Sequence, residues 1–263
     1  MEGRFQDTMY CVYRDDTQDG ELWYAVNASD GSGWSDPMRI PNQSSKAAPA
    51  IAVFNDRLYC LYKASDGPEL RCISFDGTSW SKSEKIPGQK TSTGPGLAVF
   101  NDTLYCVYQA SDMDPEMYWT TFDGESWSEG HLMDGKPGKY QKCFREPALA
   151  VYRDELHCVY RTNQDSRDLY HTRFDGTTWD EGFKIEGKNK SDDGPALVVY
   201  RDKLHCVFRS SDSSENLYHM SYEGTWSYAR KLDQVSAQGP GLITRYDPDT
   251  EEDQILCVHR GGS

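Results

Sequence analysis

Short runs of apolar and aromatic residues recur along this chain, each bounded by glycine, proline or acidic turn residues. Pro49–Phe54 is Pro-Ala-Ile-Ala-Val-Phe, and Leu58–Lys63 is Leu-Tyr-Cys-Leu-Tyr-Lys. Short runs rich in aromatic and β-branched residues predict strands, and nearly continuous apolar character predicts strands covered on both faces. The pattern therefore predicts an all-β protein built of short, buried strands.

Four such segments recur in the same order, which predicts a repeat architecture. One set of the four is Pro49–Phe54, Leu58–Lys63, Leu70–Gly77 and a segment centred on Trp80. The second segment carries equivalent cysteines from Cys11 to Cys257, and their five intervals give a mean period of about 49 residues. This period is typical of a propeller blade, so the four segments are assigned to strands A, B, C and D.

Two kinds of turn are expected between the strands. The residue pairs that join A to B are Asn55-Asp56, Asn101-Asp102, Arg153-Asp154 and Arg201-Asp202. Asp-Gly pairs beginning at Asp76, Asp123 and Asp175 are a strong hairpin signal between C and D. The aspartate can bond to backbone two residues on, and the glycine takes a positive φ. We therefore expect these aspartates to hold turns and not to catalyse a reaction.

The fold prediction is a β-propeller of four-stranded antiparallel blades in a single domain, residues 1–263. Strand B occurs six times and the other strands five times, with no strand A at the start. Five blades are favoured, and six with two incomplete is the alternative. In the five-blade arrangement, the N- and C-terminal strands pair in one blade and close the ring. Pro240–Tyr246 then supplies the inner strand, and Thr8–Arg14 or Gln254–Arg260 supplies strand B.

Composition and charge exclude several classes of fold and function. Aromatic residues make up 13% of the chain, which also has 22 Gly and 12 Pro, a mixture that favours strands and turns over helical bundles. The formal charge of −14 repels phosphate backbones, and no apolar stretch is long enough to cross a bilayer, so we expect neither nucleic-acid binding nor membrane insertion. Met1–Asp7 lacks the apolar core of a secretory signal, which predicts a cytoplasmic protein, with release by another route left open.

The eight cysteines are predicted to be reduced. Six of them occupy equivalent positions in successive blades, where rotation about the propeller axis holds them too far apart to form disulfides. They are expected to pack as small apolar side chains. Cys72 and Cys143 lie elsewhere, and no Cys-x-x-Cys or His-x-His spacing indicates a metal site. We expect no metal and no cofactor.

The candidate binding residues lie where strand B ends and strand C begins. Strand B ends in a basic residue in most repeats, and strand C offers tyrosine, tryptophan and histidine. Guanidinium groups hydrogen-bond sugar hydroxyls and aromatic rings stack on the apolar face of a pyranose. An equal alternative is that the basic residues pair with acidic ones across blades and the aromatics are core. The candidate ligand contacts are Arg14, Arg161, Arg209, Arg260, Tyr118, Tyr170, Tyr218, Trp127 and Trp179.

The repeat from Gly94 to Trp127 resembles that of the Aleuria-type fungal fucose-binding lectins. It contains Gly-Pro-Gly-Leu-Ala-Val-Phe, then Leu-Tyr-Cys-Val-Tyr-Gln-Ala-Ser-Asp, then Phe-Asp-Gly-Glu-Ser-Trp. The motif from Phe75 also resembles the Asp-box turn of sialidase and lectin propellers. The resemblance implies a propeller that binds fucose between adjacent blades, with Trp127 and Trp179 matching the family by position.

The family's fucose-binding arginine and glutamate are not carried over. The arginine position in strand B holds Tyr59, Tyr105, His157 or His205. The glutamate position in strand C falls near Cys72, Trp119, His171 and His219. The resemblance therefore implies the fold and carbohydrate binding without implying which sugar.

Three functions compete on the sequence alone. A multivalent, non-catalytic lectin is favoured, because near-identical blades create repeated clefts for glycans. A scaffold that binds protein partners through a propeller face is the main alternative. A sialidase-like glycoside hydrolase is less favoured, and its catalytic groups would lie in Gly130–Glu146, where Tyr140 is the candidate nucleophile and Arg145 a candidate for the substrate carboxylate.

Overall fold

The structure is a computed structural model, and it describes residues 2–5, 8–27, 33–110, 115–136, 139–162, 165–187, 189–247 and 252–261. These residues form 24 β-strands, and no helix is found among them. The all-β prediction is confirmed.

Five antiparallel sheets of four strands each are the blades of a β-propeller. Blade 1 consists of β1 (Glu2–Phe5), β2 (Thr8–Arg14), β3 (Glu21–Asn27) and β4 (Met38–Ser44). Blade 2 consists of β5 (Ala50–Phe54), β6 (Arg57–Lys63), β7 (Glu69–Phe75) and β8 (Glu84–Lys90). Blade 3 consists of β9 (Gly96–Phe100), β10 (Thr103–Gln109), β11 (Met117–Phe122) and β12 (His131–Leu132).

Two short strands precede the fourth blade, β13 (Asp134–Lys136) and β14 (Lys139–Tyr140). Blade 4 consists of β15 (Ala148–Tyr152), β16 (Glu155–Arg161), β17 (Leu169–Phe174) and β18 (Phe183–Lys184). Blade 5 consists of β19 (Ala196–Tyr200), β20 (Lys203–Arg209), β21 (Asn216–Tyr222) and β22 (Arg230–Val235). A further sheet contains β23 (Gly241–Asp247) and β24 (Glu252–Val258). The prediction of five four-stranded blades is confirmed.

The predicted pairing of the two chain ends is wrong. β1 pairs with β2 over the register Glu2↔Cys11 to Phe5↔Thr8, and β23 pairs with β24 over Gly241↔Val258 to Asp247↔Glu252. The N-terminal segment supplies an inner strand of its own, which the repeat pattern did not reveal. The first blade therefore needs no strand from the C-terminus.

The chain divides into two compact units. Met1–Asp114 with Tyr118–His131 is the first, and Pro115–Met117 with Leu132–Ser263 is the second. Blades 1, 2 and 3 belong to the first unit apart from the ends of β11 and β12, and their inner strands β1, β5 and β9 are successive neighbours. Blades 4 and 5 belong to the second unit with β23 and β24, and β15, β19 and β23 are neighbours. The single-domain organisation stays a prediction.

The turns between A and B form as the sequence predicts. Both central residues of each turn have positive φ, for example 45° at Asn55 and 54° at Asp56, and 47° at Arg201 and 55° at Asp202. This is the geometry of a type I′ hairpin, whose twist matches that of the flanking strands. The turn fixes the A–B register, in which Phe54 pairs with Arg57.

The turns between C and D are held by aspartate. Asp76 Oδ1 accepts hydrogen bonds from the backbone N–H groups of Thr78 at 2.9 Å and Ser79 at 2.8 Å. Asp123 and Asp175 accept equivalent pairs at 2.7 to 2.8 Å. These backbone donors lower the pKa of all three carboxyl groups because they stabilise the charged form. The predicted turn-holding bonds are present.

The core lies between successive blades. Tyr10, Val12, Leu58 and Tyr62 belong to one cluster of blades 1 and 2, and a matching cluster joins blades 4 and 5. Four of the six equivalent strand-B cysteines are fully buried as predicted, Cys60, Cys106, Cys158 and Cys206, whereas Cys11 and Cys257 are only partly buried. Burial in apolar surroundings raises the pKa of the four fully buried thiols, which keeps them protonated and inert.

Candidate functional site

A concave pocket of about 360 Å³ lies at the interface between blades 4 and 5. We call an interface between two successive blades a seam, and we call the pocket at the seam of blades 4 and 5 the seam pocket. It opens between the segment that follows β18 and strands β20 to β22. Its lining residues are Glu186, Gly187, Asn189, Lys190, Phe208, Ser210, Asp212, Tyr218, Tyr228 and Ala229.

Aromatic rings form one side of the seam pocket. Phe208 at the end of β20 and Tyr218 in β21 are cross-strand partners, and their rings stack with centroids 5.8 Å apart at an interplanar angle of 19°. Tyr228 follows the turn between β21 and β22, and it is 95% exposed. An exposed aromatic ring at the edge of a concavity is available to stack on a ligand.

Polar groups line the other side. Asn189 is buried and donates from Nδ2 to the carbonyl oxygen of Glu186 at 2.7 Å, which holds its side chain against its own loop. Lys190 and Asp212 are exposed. Asp212 accepts hydrogen bonds from the hydroxyl and the backbone N–H of Ser214, and they lower the pKa of its carboxyl group. The pocket thus presents an ammonium donor and a carboxylate acceptor beside aromatic rings.

Among the predicted contacts, the structure places Tyr218 in the seam pocket. Arg209 lies between the lining residues Phe208 and Ser210, but its Nε donates to Asp193 Oδ2 at 2.7 Å. Its Nη2 lies 3.5 Å from Asp192 Oδ2. The guanidinium is therefore engaged by the loop that leads into blade 5.

Arg161 belongs to the same cluster of charges. It is 4% exposed, and burial lowers the pKa of its guanidinium together with repulsion from Arg145 and Arg167. Arg167 bonds to Asp192, and Arg145 Nε donates to the carbonyl oxygen of Asp192 at 3.0 Å. For Arg209 the structure favours the alternative prediction, in which the basic residue at the end of strand B pairs with acidic residues.

The predicted aromatic residues of the other blades pack internally. The Tyr118 ring stacks on Tyr108 at 6.2 Å, and Tyr170 lies 6.0 Å from Tyr160. The two predicted tryptophans contact phenylalanines of their own blades at 5.1 Å, Trp127 with Phe122 and Trp179 with Phe174. Trp179 is 4% exposed, so its role is packing.

Arg14 and Arg260 are not among the residues that line the seam pocket. Arg14 ends β2 in the first unit and is half-buried, with its aliphatic part beside Gly20. Arg260 is exposed beyond β24, and its carbonyl oxygen accepts from Ala237 N–H at 3.0 Å. Tyr218 is the predicted contact that lines this pocket.

Sequence reasoning missed Tyr228, Asn189, Lys190, Glu186 and Asp212. The sequence did contain a signal for Tyr228, because this residue departs from the repeat. It stands two residues after the tryptophan of strand D. The other blades hold charged residues at that position, namely Asp36, Lys82, Glu129 and Glu181. The polar residues lie in loops, where the repeat is weakest.

Two histidine pairs occupy strands B and C beneath the blade surface. His157 Nδ1 lies 2.9 Å from His171 Nε2, and His205 Nδ1 lies 2.9 Å from His219 Nε2. Burial lowers the pKa of all four imidazoles, to about 4 for His157 and about 3 for His171. These rings are therefore neutral near pH 7 and act as packing and hydrogen-bonding groups.

No cluster of three or more His, Cys, Asp or Glu able to hold a metal ion occurs within the described ranges. No helix with the length and apolar character needed to span a membrane occurs there either. The side chain of Tyr140, the candidate nucleophile of the hydrolase hypothesis, lies outside the described part of the chain.

No protein-family model matches this chain, and no curated protein matches its sequence. Solved structures do match it. A mutant of Aleuria aurantia lectin in complex with Fucalpha1-6GlcNAc has a TM-score of 0.58 at 16% identity, over 88% of this chain and 77% of that chain. AofleA from Arthrobotrys oligospora has a TM-score of 0.63 at 13% identity, over 99% of this chain and 86% of that chain.

A propeller enzyme is also similar. Trypanosoma rangeli sialidase in complex with the inhibitor DANA has a TM-score of 0.68 at 13% identity, over 98% of this chain and 52% of that chain. At these identities the similarity establishes the β-propeller fold alone. The predicted resemblance to Aleuria-type lectins is confirmed at that level.

Proposed function

We propose that this protein is a carbohydrate-binding lectin without catalytic activity, and that the seam pocket binds a glycan. The observation that carries the proposal is the exposed ring of Tyr228 at a concave site that also holds the Phe208–Tyr218 stack. A pyranose has an apolar C–H face and a hydroxylated rim, and it needs an aromatic plane together with polar groups.

The polar lining suits sugar hydroxyls. Lys190 supplies ammonium donors, while Asp212 and Glu186 supply carboxylate acceptors. Charge-assisted hydrogen bonds of this kind are about twice as strong as neutral ones. The pocket volume of about 360 Å³ is at the small end of ligand sites, which fits one or two sugar rings better than a long chain.

The Asp212 environment excludes one catalytic role in this pocket. A glycosidase that uses two carboxyl groups needs one of them to hold its proton as the general acid, with a raised pKa. Hydrogen bonds from Ser214 lower the pKa of Asp212 instead, so this group is an ionised acceptor and is unsuited to be the general acid.

Similarity to the lectins gives the first probes. The Aleuria aurantia lectin structures are complexes with Fucalpha1-6GlcNAc and alpha-methyl-L-fucoside, and these two compounds lead a panel of monosaccharides. Isothermal titration calorimetry of the parent protein tests the panel. We expect saturable binding of at least one sugar, and no binding of any sugar by the folded protein would refute the proposal.

Substitution of Tyr228 assigns the binding to the seam pocket. Tyr228→Ala is expected to weaken binding about tenfold because the stacking plane is lost, whereas Tyr228→Phe keeps the ring and most of the affinity. Phe183→Ala is the matched control, since Phe183 is a 39% exposed aromatic of blade 4 outside the pocket lining. Equal effects of Tyr228→Ala and Phe183→Ala would contradict the assignment.

Catalysis is tested separately with a fluorogenic α-sialoside and a fluorogenic α-L-arabinofuranoside. Sialidase and α-L-arabinofuranosidase structures are also similar to this chain. We expect no turnover of either compound. Turnover that is lost on Asp212→Asn would replace the lectin proposal with a hydrolase.

A further inference from the structure

Blades 2, 3 and 4 each have a tyrosine near the end of strand B and a glutamine in the segment that precedes the blade, and blade 5 has neither. At the seam of blades 1 and 2, the Tyr62 hydroxyl donates to Oε1 of Gln43 and lies 2.7 Å from Ser83 Oγ. Tyr62 is the penultimate residue of β6 and Gln43 the penultimate residue of β4. The bond therefore ties the last strand of one blade to the second strand of the next.

The seam of blades 2 and 3 repeats the arrangement. The Tyr108 hydroxyl donates to Oε1 of Gln89, and both residues are buried, at 2% and 7% exposure. Gly130 stands where Ser83 stands in blade 2, and a Cβ on it would lie 2.7 Å from the Tyr108 hydroxyl. The tyrosine and the glutamine therefore leave no room for a side chain at Gly130.

The same two residue types occur at blade 4. Tyr160 lies in β16, and Gln141 lies in the segment that leads into the blade. Gln141 and Tyr160 are 4% and 3% exposed. A Cβ on Gly182 would lie 3.0 Å from both Gln141 Oε1 and the Tyr160 hydroxyl. The two side chains therefore converge on the glycine that precedes strand D, but no hydrogen bond joins them: Gln141 Oε1 has no partner in the described structure, and Nε2 donates to Thr172 and to the Asp180 carbonyl.

The seam of blades 4 and 5 has neither the tyrosine hydroxyl nor the glutamine side chain. Phe208 occupies the tyrosine position and has no hydroxyl, and Asn189 occupies the glutamine position with one methylene fewer. Asn189 turns back to the carbonyl of Glu186 instead of reaching across the seam. Phe208, Asn189 and Ala229, the three equivalents of the closing residues, all line the seam pocket.

We propose that the tyrosine–glutamine pair is a latch that closes a seam to ligands, and that the Phe208/Asn189 combination selects the seam of blades 4 and 5 as the ligand site. This inference rests on the proposed function for the ligand and on geometry for the latch. The seams are consequently not equivalent, contrary to the expectation of repeated identical clefts.

The physical reason for a paired change is hydrogen-bond satisfaction. Burial raises the pKa of Tyr62 to about 12 and that of Tyr108 further, so these hydroxyls sit in a poorly hydrated environment. Removing the hydroxyl alone would leave the glutamine carbonyl oxygen buried without that donor, which is costly. Changing both residues removes the donor and draws the amide acceptor back from the seam, since the shorter Asn189 side chain bonds to the carbonyl of Glu186.

The first experiment closes the open seam with Asn189→Gln, Phe208→Tyr and the double variant. The melting temperatures of the parent, the two single variants and the double variant measure the coupling between the two substitutions, and this measurement needs no ligand. We expect the double variant to melt about 2–4 °C above the value that the two single changes predict, because the latch bond forms only when both are present. A crystal structure of the double variant is expected to show the introduced hydroxyl bonded to the introduced amide and the pocket filled.

Ligand binding by the double variant is the second readout. We expect the sugar that the parent binds to lose at least tenfold in affinity, while the fold is unchanged. Additive melting shifts together with a pocket that stays open would overturn the latch. Coupling and closure in a protein whose parent binds no sugar would uphold the latch and refute the proposed function, so the two failures are distinguishable.

The reverse experiment opens a latched seam in the first unit. Gln89→Asn/Tyr108→Phe is expected to open a pocket between blades 2 and 3, because Tyr118 already stacks on Tyr108 as Tyr218 does on Phe208. Adding Glu129→Tyr supplies the equivalent of Tyr228. The triple variant is expected to bind one sugar more per chain than the parent, and the double variant, which lacks the exposed ring, is its matched control. A triple variant with an open pocket and unchanged stoichiometry would refute the selection of sites by the latch.

Discussion

The indole Nε1–H of Trp226 in blade 5 donates a hydrogen bond of 3.2 Å to Nδ1 of His171 in blade 4. Since Nδ1 accepts, the neutral His171 carries its proton on Nε2, which faces His157 Nδ1 at 2.9 Å. A bond between blades therefore fixes the tautomers of two buried histidines. Each ring must be neutral for this chain of bonds to exist.

Acid is expected to destabilise the protein through this pair. The pKa values of about 4 for His157 and about 3 for His171 lie below the value of about 6.5 in an unfolded chain. Between the pKa values of the folded and unfolded states, the unfolded chain binds more protons than the folded one. The free energy of unfolding therefore falls as the pH drops from about 6.5 towards 4. The loss approaches about 2 kcal/mol for each histidine at pH 5, and it is measured as the decrease in melting temperature from pH 7 to pH 5.

A double variant tests whether the histidine pair causes this loss of stability in acid. It replaces the two histidines with the residues at the equivalent positions of blade 2, where Tyr59 corresponds to His157 and Cys72 to His171. His157→Tyr/His171→Cys should flatten the melting temperature between pH 7 and pH 5. Arg173, Asp180 and Glu155 also face the pair, so they are kept unchanged. His131→Gln, at an exposed position, is the control. An unaltered pH dependence in the double variant would exclude the pair as its source.

Trp226 and Trp80 occupy equivalent positions but differ in their hydrogen bonding. Trp80 Nε1 is buried without a hydrogen-bond partner in the described structure, whereas Trp226 Nε1 bonds to His171. Phenylalanine keeps most of the apolar contact and removes the N–H. Trp226→Phe is therefore expected to cost about 1 kcal/mol more than Trp80→Phe in chemical denaturation. Equal losses would show that the indole bond contributes nothing.

The Asp76, Asp123 and Asp175 carboxylates are expected to support folding and not ligand binding. Replacement of Asp76 by alanine removes the acceptor of two backbone N–H groups in the turn. We expect a lower melting temperature with unchanged sugar affinity, and a similar result for Asp123→Ala. Asp76→Asn keeps one oxygen acceptor and should lie between. A loss of sugar binding at an unchanged melting temperature would reverse this assignment.

Arg209 is expected to act through its ion pair with Asp193. The side chains are 14% and 24% exposed, and the 2.7 Å bond joins strand β20 to the loop before blade 5. Arg209→Gln should destabilise the protein by about 1–3 kcal/mol, because a charged hydrogen bond is lost and a carboxylate loses its partner. Asp193→Asn should have a similar effect, and the double variant should show non-additive losses. Unfolding monitored by fluorescence measures all three, and additive losses would contradict the pairing.

Local pattern predicted much of this fold. The repeat gave five blades, and the Asn-Asp and Asp-Gly pairs located hairpin turns that the backbone dihedral angles confirm. These features depend on residues close together in sequence, whose conformational preferences act independently of the rest of the chain. The inner strand Glu2–Phe5 escaped prediction because Glu2-Gly3-Arg4-Phe5 lacks the apolar run of the other A strands.

Two of the predicted contact residues show where sequence spacing stops being informative about the seam pocket. Arg209 and Tyr218 were both chosen from the end of strand B and the start of strand C, yet only Tyr218 lines the pocket. Arg209 is drawn to Asp193, which lies in a loop from the preceding blade. Partner choice of this kind depends on which loops meet at a seam, and sequence spacing does not encode it.

Sequence alone is enough to predict the blade repeat, the strand content and the turn chemistry, because each is set by side-chain periodicity and backbone preference within about ten residues. Only the folded chain shows which seam holds the pocket. Asn189 and Phe208 look like conservative departures from glutamine and tyrosine along the chain. Their convergence at one seam shows that a hydroxyl and a methylene are missing from the same space, which leaves a pocket where the seams of blades 1 and 2 and of blades 2 and 3 have a hydrogen bond.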